Sequence, residues 1–205
     1  MFRPFLFHRF FLMLVDTHTH IYLPDLSSSI DEIILRANEN GIQQFFLPNI
    51  DEESIDAVFA LATKYPTQCY PMMGLHPCYV KENYLEELAH VETQLAQHKF
   101  YAIGEIGIDL YWDKTTLDIQ KIAFQRQIQW AKQHGLAINI HCRDAFDEVF
   151  EVLELEKSPE LFGIFHCFSG DLEQAQRAIS YGLKLGIGGV ATFKNGKIDQ
   201  FLHQI

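Results

Sequence analysis

The sequence predicts an α/β fold of the (β/α)8 TIM-barrel type, on the strength of two observations. Short, nearly continuous apolar segments alternate with amphipathic helical patterns along the 205 residues, in seven strand-helix units. Apolar strands that are each followed by a helix are typical of a parallel sheet buried on both faces, which fits an open sheet or a barrel. The second observation favours the barrel: ionisable side chains follow the carboxyl ends of the strands, which a barrel gathers on one rim.

The spacing of apolar residues places the helices and strands in chain order. Ser29 and Glu32 have the pattern of a capping box, and a helical pattern follows until Gly41. The second helical pattern ends at Pro66. The first strand precedes His18, and the later strands are predicted at 45–47, 72–75, 101–103, 136–140, 164–165 and 183–187. The helical patterns between them lie at 30–37, 55–62, 85–95, 124–131, 149–153 and 175–179.

Composition and charge indicate one domain that does not hold nucleic acid by positive charge. Hydrophobic residues make up 48% of the chain, and no linker or low-complexity segment divides it. The chain has 16 Lys and Arg residues against 27 Asp and Glu residues, which gives a formal net charge of −11. This charge argues against binding nucleic acid through basic residues alone. If the protein acts on phosphates, a bound cation must help.

The cysteines and the N-terminal segment predict a cytoplasmic protein without a membrane partner. The four cysteines contain no Cys-x-x-Cys pair and are too sparse for a disulfide framework, which fits a reducing compartment. The apolar segment 1–15 is interrupted by Arg3, His8 and Arg9, so it is too short to span a membrane, and no cleavage site follows it. No pattern indicates an obligate protein partner.

Ionisable side chains at five predicted strand ends point together to a metal centre. They are His18 and His20 after the first strand, His76 after the third, Glu105 after the fourth, His141 after the fifth and His166 after the sixth. Each histidine taken alone is more simply explained as a hydrogen-bonded core residue or a surface residue. Core packing does not require ligand-type side chains at the same depth on several strands. We therefore expect these residues to bind divalent metal ions.

The predicted ligands divide into two sets. Glu105, His141 and His166 form a two-histidine, one-carboxylate set that leaves coordination positions open, as catalytic metal sites do. Residues i and i+2 of a strand point to the same side, about 6 to 7 Å apart, so His18 and His20 can reach one ion. Glu105 is then placed to bridge the two ions.

Other polar and aromatic residues near these strand ends suit an anionic substrate. His76 and Arg143 are predicted to contact its phosphate, because guanidinium groups match phosphate oxygens. For Arg143, a salt bridge to Asp144 or to another carboxylate at the rim is an equally good interpretation. Tyr111 and Trp112 could stack on a base or cap the barrel, and we favour capping.

Five ordered motifs resemble those of the TatD family of metal-dependent deoxyribonucleases and hydrolases, within the metallo-hydrolase TIM-barrel superfamily. They are Asp-Thr-His-Thr-His at 16–20, Gly-Leu-His-Pro at 74–77, Gly-Glu-Ile-Gly-Ile-Asp at 104–109, His-Cys-Arg at 141–143 and His-Cys-Phe-Ser-Gly at 166–170. The resemblance implies one or two divalent ions (Mg²⁺, Mn²⁺ or Zn²⁺) and 3′-5′ exonuclease action on DNA or another phosphodiester substrate.

The resemblance also implies roles for individual residues. His18 and His20 would hold one ion, His141 and His166 the other, and Glu105 would bridge them. His76 and Arg143 would contact the substrate phosphate, and water activated by the metal would attack the phosphodiester bond.

The sequence departs from the family pattern at both ends. Residues 1–12 precede the usual family start and are expected to be a non-native extension, which leaves 13–205 as an incomplete barrel. The last strand and helix of a complete barrel are expected to be missing. With them goes the family's last ligand, an aspartate that also transfers protons, and Asp109 is a weak candidate to replace it.

Two alternatives therefore stay open. The chain could be a decayed or truncated fragment that binds one metal ion at Glu105, His141 and His166 without turnover. It could also be an amidohydrolase of the same superfamily that acts on amide or ester bonds, although Glu105 as the bridge and Arg143 and His76 for phosphate disfavour this.

Overall fold

The computed structural model describes residues 13–193 and 198–205 and shows one parallel sheet of seven strands. Each strand pairs with the next one in the chain, in the order β1 to β7. The strands are β1 Leu14–Asp16, β2 Ile42–Pro48, β3 Cys69–Met73, β4 Ala102–Asp109, β5 Ala137–Arg143, β6 Gly163–Phe165 and β7 Leu183–Leu185. The predicted N-terminal extension, residues 1–12, lies outside the described residues.

Helices connect the strands, as predicted for an α/β fold. They are α1 Pro24–Ser27, α2 Ile30–Glu39, α3 Ile55–Lys64, α4 Tyr84–Gln97, α5 Leu117–His134, α6 Phe146–Leu155 and α7 Leu172–Ser180. A 3₁₀ helix, Pro77–Tyr79, follows β3, and β7 is followed within the described residues by the 3₁₀ helices Gly189–Thr192, Ile198–Gln200 and Leu202–Gln204. None of the helices in the described residues is both long and apolar enough to cross a membrane.

The core is built around β4. All of its residues are buried, and Ile103, Ile106 and Ile108 have no exposed surface. Phe124 of α5 also has no exposed surface, and Phe150 of α6, in the same apolar cluster, is 1% exposed. A strand covered on both sides cannot alternate apolar and polar residues, which explains why these segments are almost continuously apolar in the sequence.

A capping box forms at α7 and not at α2. The predicted cap Ser29 makes no side-chain hydrogen bond to the first turn of α2, so that prediction is wrong. At α7, the Asp171 carboxylate accepts the backbone N–H of Gln174 at 2.9 Å, and the Gln174 side chain accepts the N–H of Asp171 at 3.0 Å. The aspartate thereby satisfies a helix N–H group that has no partner within the helix.

Asp171→Ala is expected to lower the free energy of unfolding by about 1 kcal/mol, because it removes this cap. Ser29→Ala is the matched control and is expected to change the free energy of unfolding by less than about 0.5 kcal/mol. Urea denaturation followed by circular dichroism measures both changes. Equal losses in the two variants would contradict the assignment of the cap.

Candidate metal centre

Glu105 lies at the centre of the predicted site. Its carboxylate, which is only 7% exposed, is surrounded by four histidines from three parts of the chain. The contacts are His18 Nε2 at 3.2 Å and His20 Nε2 at 4.0 Å from Oε2, and His141 Nδ1 at 2.8 Å and His76 Nε2 at 3.6 Å from Oε1. The carboxyl ends of β1, β3 and β5 therefore converge on Glu105, as expected for a barrel rim. Glu105 itself lies within β4, as the fourth of its eight residues, and not after the strand as the sequence predicts.

The ligand-type side chains form two groups that share Glu105. One group is His18, Glu105 and His166, and the other is His76, Glu105 and His141, with the ligand atoms of each group within 4.8 Å of one another. The sequence prediction pairs His166 with His141, whereas the structure stacks His166 on His18, with 3.4 Å between the ring centroids. A carboxylate common to both groups is the arrangement that a bridging ligand needs. Which histidine serves which ion stays a prediction.

Asn139 holds the ring of His18 in one orientation. This buried side chain in β5 donates through Nδ2 to the Thr17 carbonyl at 3.1 Å, which leaves Oδ1 as the atom 3.0 Å from His18 Nδ1. Because an amide oxygen only accepts, His18 Nδ1 carries the proton in this contact. The other ring nitrogen, Nε2, lies 3.2 Å from Oε2 of Glu105.

Tyr22 holds the ring of His20 in one orientation, as Asn139 does for His18. The Tyr22 hydroxyl donates to the Pro48 carbonyl at 2.5 Å, so its oxygen accepts from His20 Nδ1 at 2.8 Å. Burial, together with repulsion from His18, lowers the pKa of His20 to about 4, so the ring is neutral at pH 7. Its Nε2 lies 3.1 Å from Nε2 of His18 and has a free lone pair.

Acceptor atoms thus converge at one point. Nε2 of His18, Nε2 of His20 and an oxygen of Glu105 lie within 3.1 to 4.0 Å of one another. Such an arrangement needs either a proton on His18 Nε2 or a cation between the three atoms. Fixing the distal nitrogen of a histidine by a hydrogen bond is the usual way in which proteins orient metal ligands. The donor set therefore fits a divalent metal ion.

The electrostatics of Glu105 and His166 agree with this. Burial alone would raise the pKa of Glu105, but hydrogen bonds from His141, His18 and His76 outweigh it and hold that pKa well below its usual range. Burial, with repulsion from His18, lowers the pKa of His166 to about 4. At neutral pH the centre therefore has an anionic carboxylate beside the neutral imidazoles of His20 and His166, the protonation states in which these groups bind metals.

His141 lies between two carboxylates. Its Nδ1 is 2.8 Å from Glu105, and its Nε2 is 2.8 Å from Oδ2 of Asp109, which is buried. Burial would lower the pKa of His141, but the two carboxylates raise it above the usual value. Asp109 therefore orients His141, and its role as a replacement for the aspartate that the resemblance implies stays a prediction.

His76 uses its ring nitrogens in the opposite way from His18 and His20, because its Nδ1 accepts a hydrogen bond and theirs donate. Its Nδ1 accepts the backbone N–H of Cys78 at 3.1 Å, so the neutral ring carries its proton on Nε2. A nitrogen that bears a proton donates to an oxygen and does not bind a metal. The geometry therefore suits the predicted contact with a substrate phosphate.

Arg143 is exposed and lies over the ring of Tyr111, with its guanidinium carbon 3.7 Å from the centroid. Among the described residues its ion pair with Asp144, the alternative interpretation, does not form. Tyr111 is 53% exposed and Trp112 is 69% exposed. The prediction that these two rings cap the barrel is therefore wrong.

Sequence reasoning missed Asn139 and Tyr22. Both lie two residues from a predicted ligand, since Asn139 precedes His141 and Tyr22 follows His20. The available signal was an asparagine within an otherwise apolar strand, because an unpaired buried amide is costly and needs partners.

Asn139→Ala and Tyr22→Phe are each expected to weaken divalent-metal binding by about 10- to 100-fold, because each releases the ring of a ligand histidine. Tyr70→Phe is the matched control, since its hydroxyl donates to the Thr67 carbonyl away from the site. Isothermal titration with Zn²⁺ measures the affinities. Wild-type affinity in both site variants would show that these hydrogen bonds do not support the ligands.

The comparisons with known proteins agree with the fold. A family model described as TatD related DNase matches residues 15–205. An uncharacterized metal-dependent hydrolase, YabD of Bacillus subtilis, is 36% identical over 185 residues, which cover 90% of this chain and 72% of YabD. A 3′-5′ ssDNA/RNA exonuclease, TatD of Yersinia pseudotuberculosis, is 29% identical over 160 residues, which cover 77% of this chain and 61% of that protein.

A solved structure confirms the barrel-type fold. The crystal structure of YjjV, a TatD homologue from Escherichia coli, superposes with a TM-score of 0.86 at 29% sequence identity. The match covers 95% of this chain and 76% of the YjjV chain.

Proposed function

This chain belongs to the TatD related DNase family, and from this premise we propose its function. It is a divalent-metal-dependent phosphodiester hydrolase that removes nucleotides from the 3′ end of DNA. The observation that carries the proposal is the convergence of ligand-type side chains on the buried Glu105 carboxylate. The finer substrate assignment is supported by the relatives named 3′-5′ ssDNA/RNA exonuclease.

The ligand set indicates which ions would bind. We assign His18, His20 and His166 to one ion, His141 to a second, and Glu105 to both. Imidazole-rich sites suit Zn²⁺, and carboxylates suit Mg²⁺ and Mn²⁺, so this mixed set favours Zn²⁺ or Mn²⁺ over Mg²⁺. A bound ion would supply a water molecule of lowered pKa and neutralise charge on the phosphoryl oxygens.

The remaining polar residues would position the substrate. His76 directs its protonated Nε2 into the site, where it can donate to a phosphoryl oxygen. Arg143 keeps its guanidinium exposed at the same rim, and its planar edge can donate two hydrogen bonds to a phosphate. Asp109 keeps the ring of His141 in place through a hydrogen bond. These side chains also explain how a chain with a net charge of −11 could accept a polyanion.

The proposal is tested by incubating the protein with a single-stranded oligonucleotide labelled at its 5′ end, in Zn²⁺, Mn²⁺ or Mg²⁺. We expect a ladder of labelled products that shorten one nucleotide at a time, and no products in EDTA. His134→Ala, a change to an exposed histidine at the end of α5, is the control and is expected to retain activity. An oligonucleotide labelled at its 3′ end reports the polarity, because 3′-5′ digestion releases the label as a mononucleotide first.

A panel of amide and ester substrates, assayed with the same ions, tests the alternatives. Hydrolysis of an amide with no cleavage of the oligonucleotide would contradict the proposal in favour of an amidohydrolase. Metal binding without hydrolysis of any substrate would contradict it in favour of a fragment without turnover.

A further inference from the structure

Two aromatic rings are exposed beside the metal centre. Tyr111 and Trp112 come directly after Leu110, the residue that follows β4. Tyr111 is 53% exposed and Trp112 is 69% exposed, whereas the other tryptophan, Trp130, is only 2% exposed. The rings meet edge to face, with centroids 4.8 Å apart and an interplanar angle of 89°. The core does not account for them, because so much of each ring faces solvent.

A cation supports these rings from the neighbouring strand. The guanidinium carbon of Arg143, at the end of β5, lies 3.7 Å from the centroid of Tyr111 and 5.7 Å from that of Trp112. A guanidinium stacked on a ring keeps its N–H groups at its edge, where they can reach phosphate oxygens. Aromatic and cationic surface are thus combined at one place.

Asp109 ties this surface to the metal centre. Its Oδ1 accepts the backbone N–H of Tyr111 at 3.0 Å and that of Trp112 at 3.2 Å. Its Oδ2 is 2.8 Å from Nε2 of His141. Asp109 therefore contacts both the backbone that carries the rings and a proposed metal ligand, so the two features share one residue.

We propose that Tyr111 and Trp112, supported by Arg143, form a stacking surface for a nucleobase of single-stranded nucleic acid. This inference rests on the proposed function and adds the contact that holds the substrate's bases. Every base has a π face, so stacking on aromatic rings binds single strands without strong sequence preference. It also supplies affinity that does not depend on positive charge, which this acidic chain lacks.

The test compares two 5′-fluorescein strands of equal charge in the presence of Zn²⁺: an eight-nucleotide oligothymidine and an abasic strand of the same length. Both carry phosphorothioate linkages to slow cleavage. Fluorescence anisotropy of wild type is expected to show about 5- to 150-fold tighter binding of oligothymidine.

The double variant Tyr111→Ala/Trp112→Ala should lose most of this preference, and Tyr111→Phe/Trp112→Phe should keep most of it. Oligothymidine should also quench the exposed Trp112 fluorescence, and the abasic strand should not.

Tyr101→Ala is the matched control, because Tyr101 also carries a stacked cation, Lys99, but precedes β4 at the opposite end of the strand. It should keep the wild-type preference. Equal binding of both strands by a wild type that hydrolyses an oligonucleotide would overturn the stacking surface alone. The same would follow if the alanine double variant kept the preference. A wild type that neither hydrolyses nor prefers oligothymidine would overturn both proposals.

Discussion

Glu105→Ala is expected to abolish binding of both proposed ions, whereas His18→Ala is expected to remove only the ion assigned to His18, His20 and His166. The reason is that Glu105 is assigned to both ions and, among the described residues, provides the only carboxylate within 4.0 Å of the ring nitrogens of His18, His20 and His76. Glu105→Gln keeps the side-chain shape and removes the charge, and is expected to weaken binding by at least about 100-fold. Isothermal titration with Zn²⁺ or Mn²⁺ gives stoichiometry and affinity.

Glu86→Gln is the matched control, since Glu86 is an exposed glutamate in the first turn of α4. It should bind metal as wild type does. Circular dichroism of each variant separates loss of ligands from loss of fold. A folded Glu105→Ala protein with the wild-type stoichiometry would refute the bridging role.

Gly107→Ala is expected to lower the free energy of unfolding by more than about 3 kcal/mol. Gly107 has a φ of +142°, and a Cβ atom there would lie 2.0 Å from the backbone oxygen of His141. Gly107 pairs with His141 in the β4–β5 register, so the strands would have to separate beside a proposed metal ligand. Urea denaturation measures the stability, and metal affinity should fall in the same variant.

Gly135→Ala is the control for Gly107→Ala. It introduces a Cβ atom at a glycine with positive φ without the collision that the Cβ atom at position 107 makes with the backbone of His141. Gly135 also has a positive φ, +63°, but a Cβ there meets nothing within 4 Å. We expect it to cost about 1 to 2 kcal/mol, which is the penalty of the left-handed conformation alone. Equal losses in the two variants would show that close approach of the two strands does not matter.

The strands and helices could be predicted because burial on both faces leaves a simple apolar pattern. The sequence prediction is least accurate at β4: it places the strand at 101–103, whereas the strand extends over Ala102–Asp109. Glu105 and Asp109 interrupt the apolar run, yet both are buried. A polar residue that serves the site looks like the end of a strand when only the sequence is read.

The convergence of the site could be predicted from strand ends, but the detailed contacts could not. The stacking of His166 on His18 joins β6 to β1, two strands that do not pair, so it depends on the curvature of the sheet and on side-chain rotamers. The protonated nitrogen of His76 depends on one backbone N–H of the loop after β3. Neither feature leaves a spacing signal in the sequence.

Crystals soaked in Zn²⁺ and measured across the zinc absorption edge test the metal centre most directly. The expected result is an anomalous peak about 2 Å from an oxygen of Glu105 and from Nε2 of His18, with His20 or His166 as a further ligand. No anomalous peak at Glu105, or zinc bound only at surface residues, would contradict the metal centre and the hydrolase proposed from it.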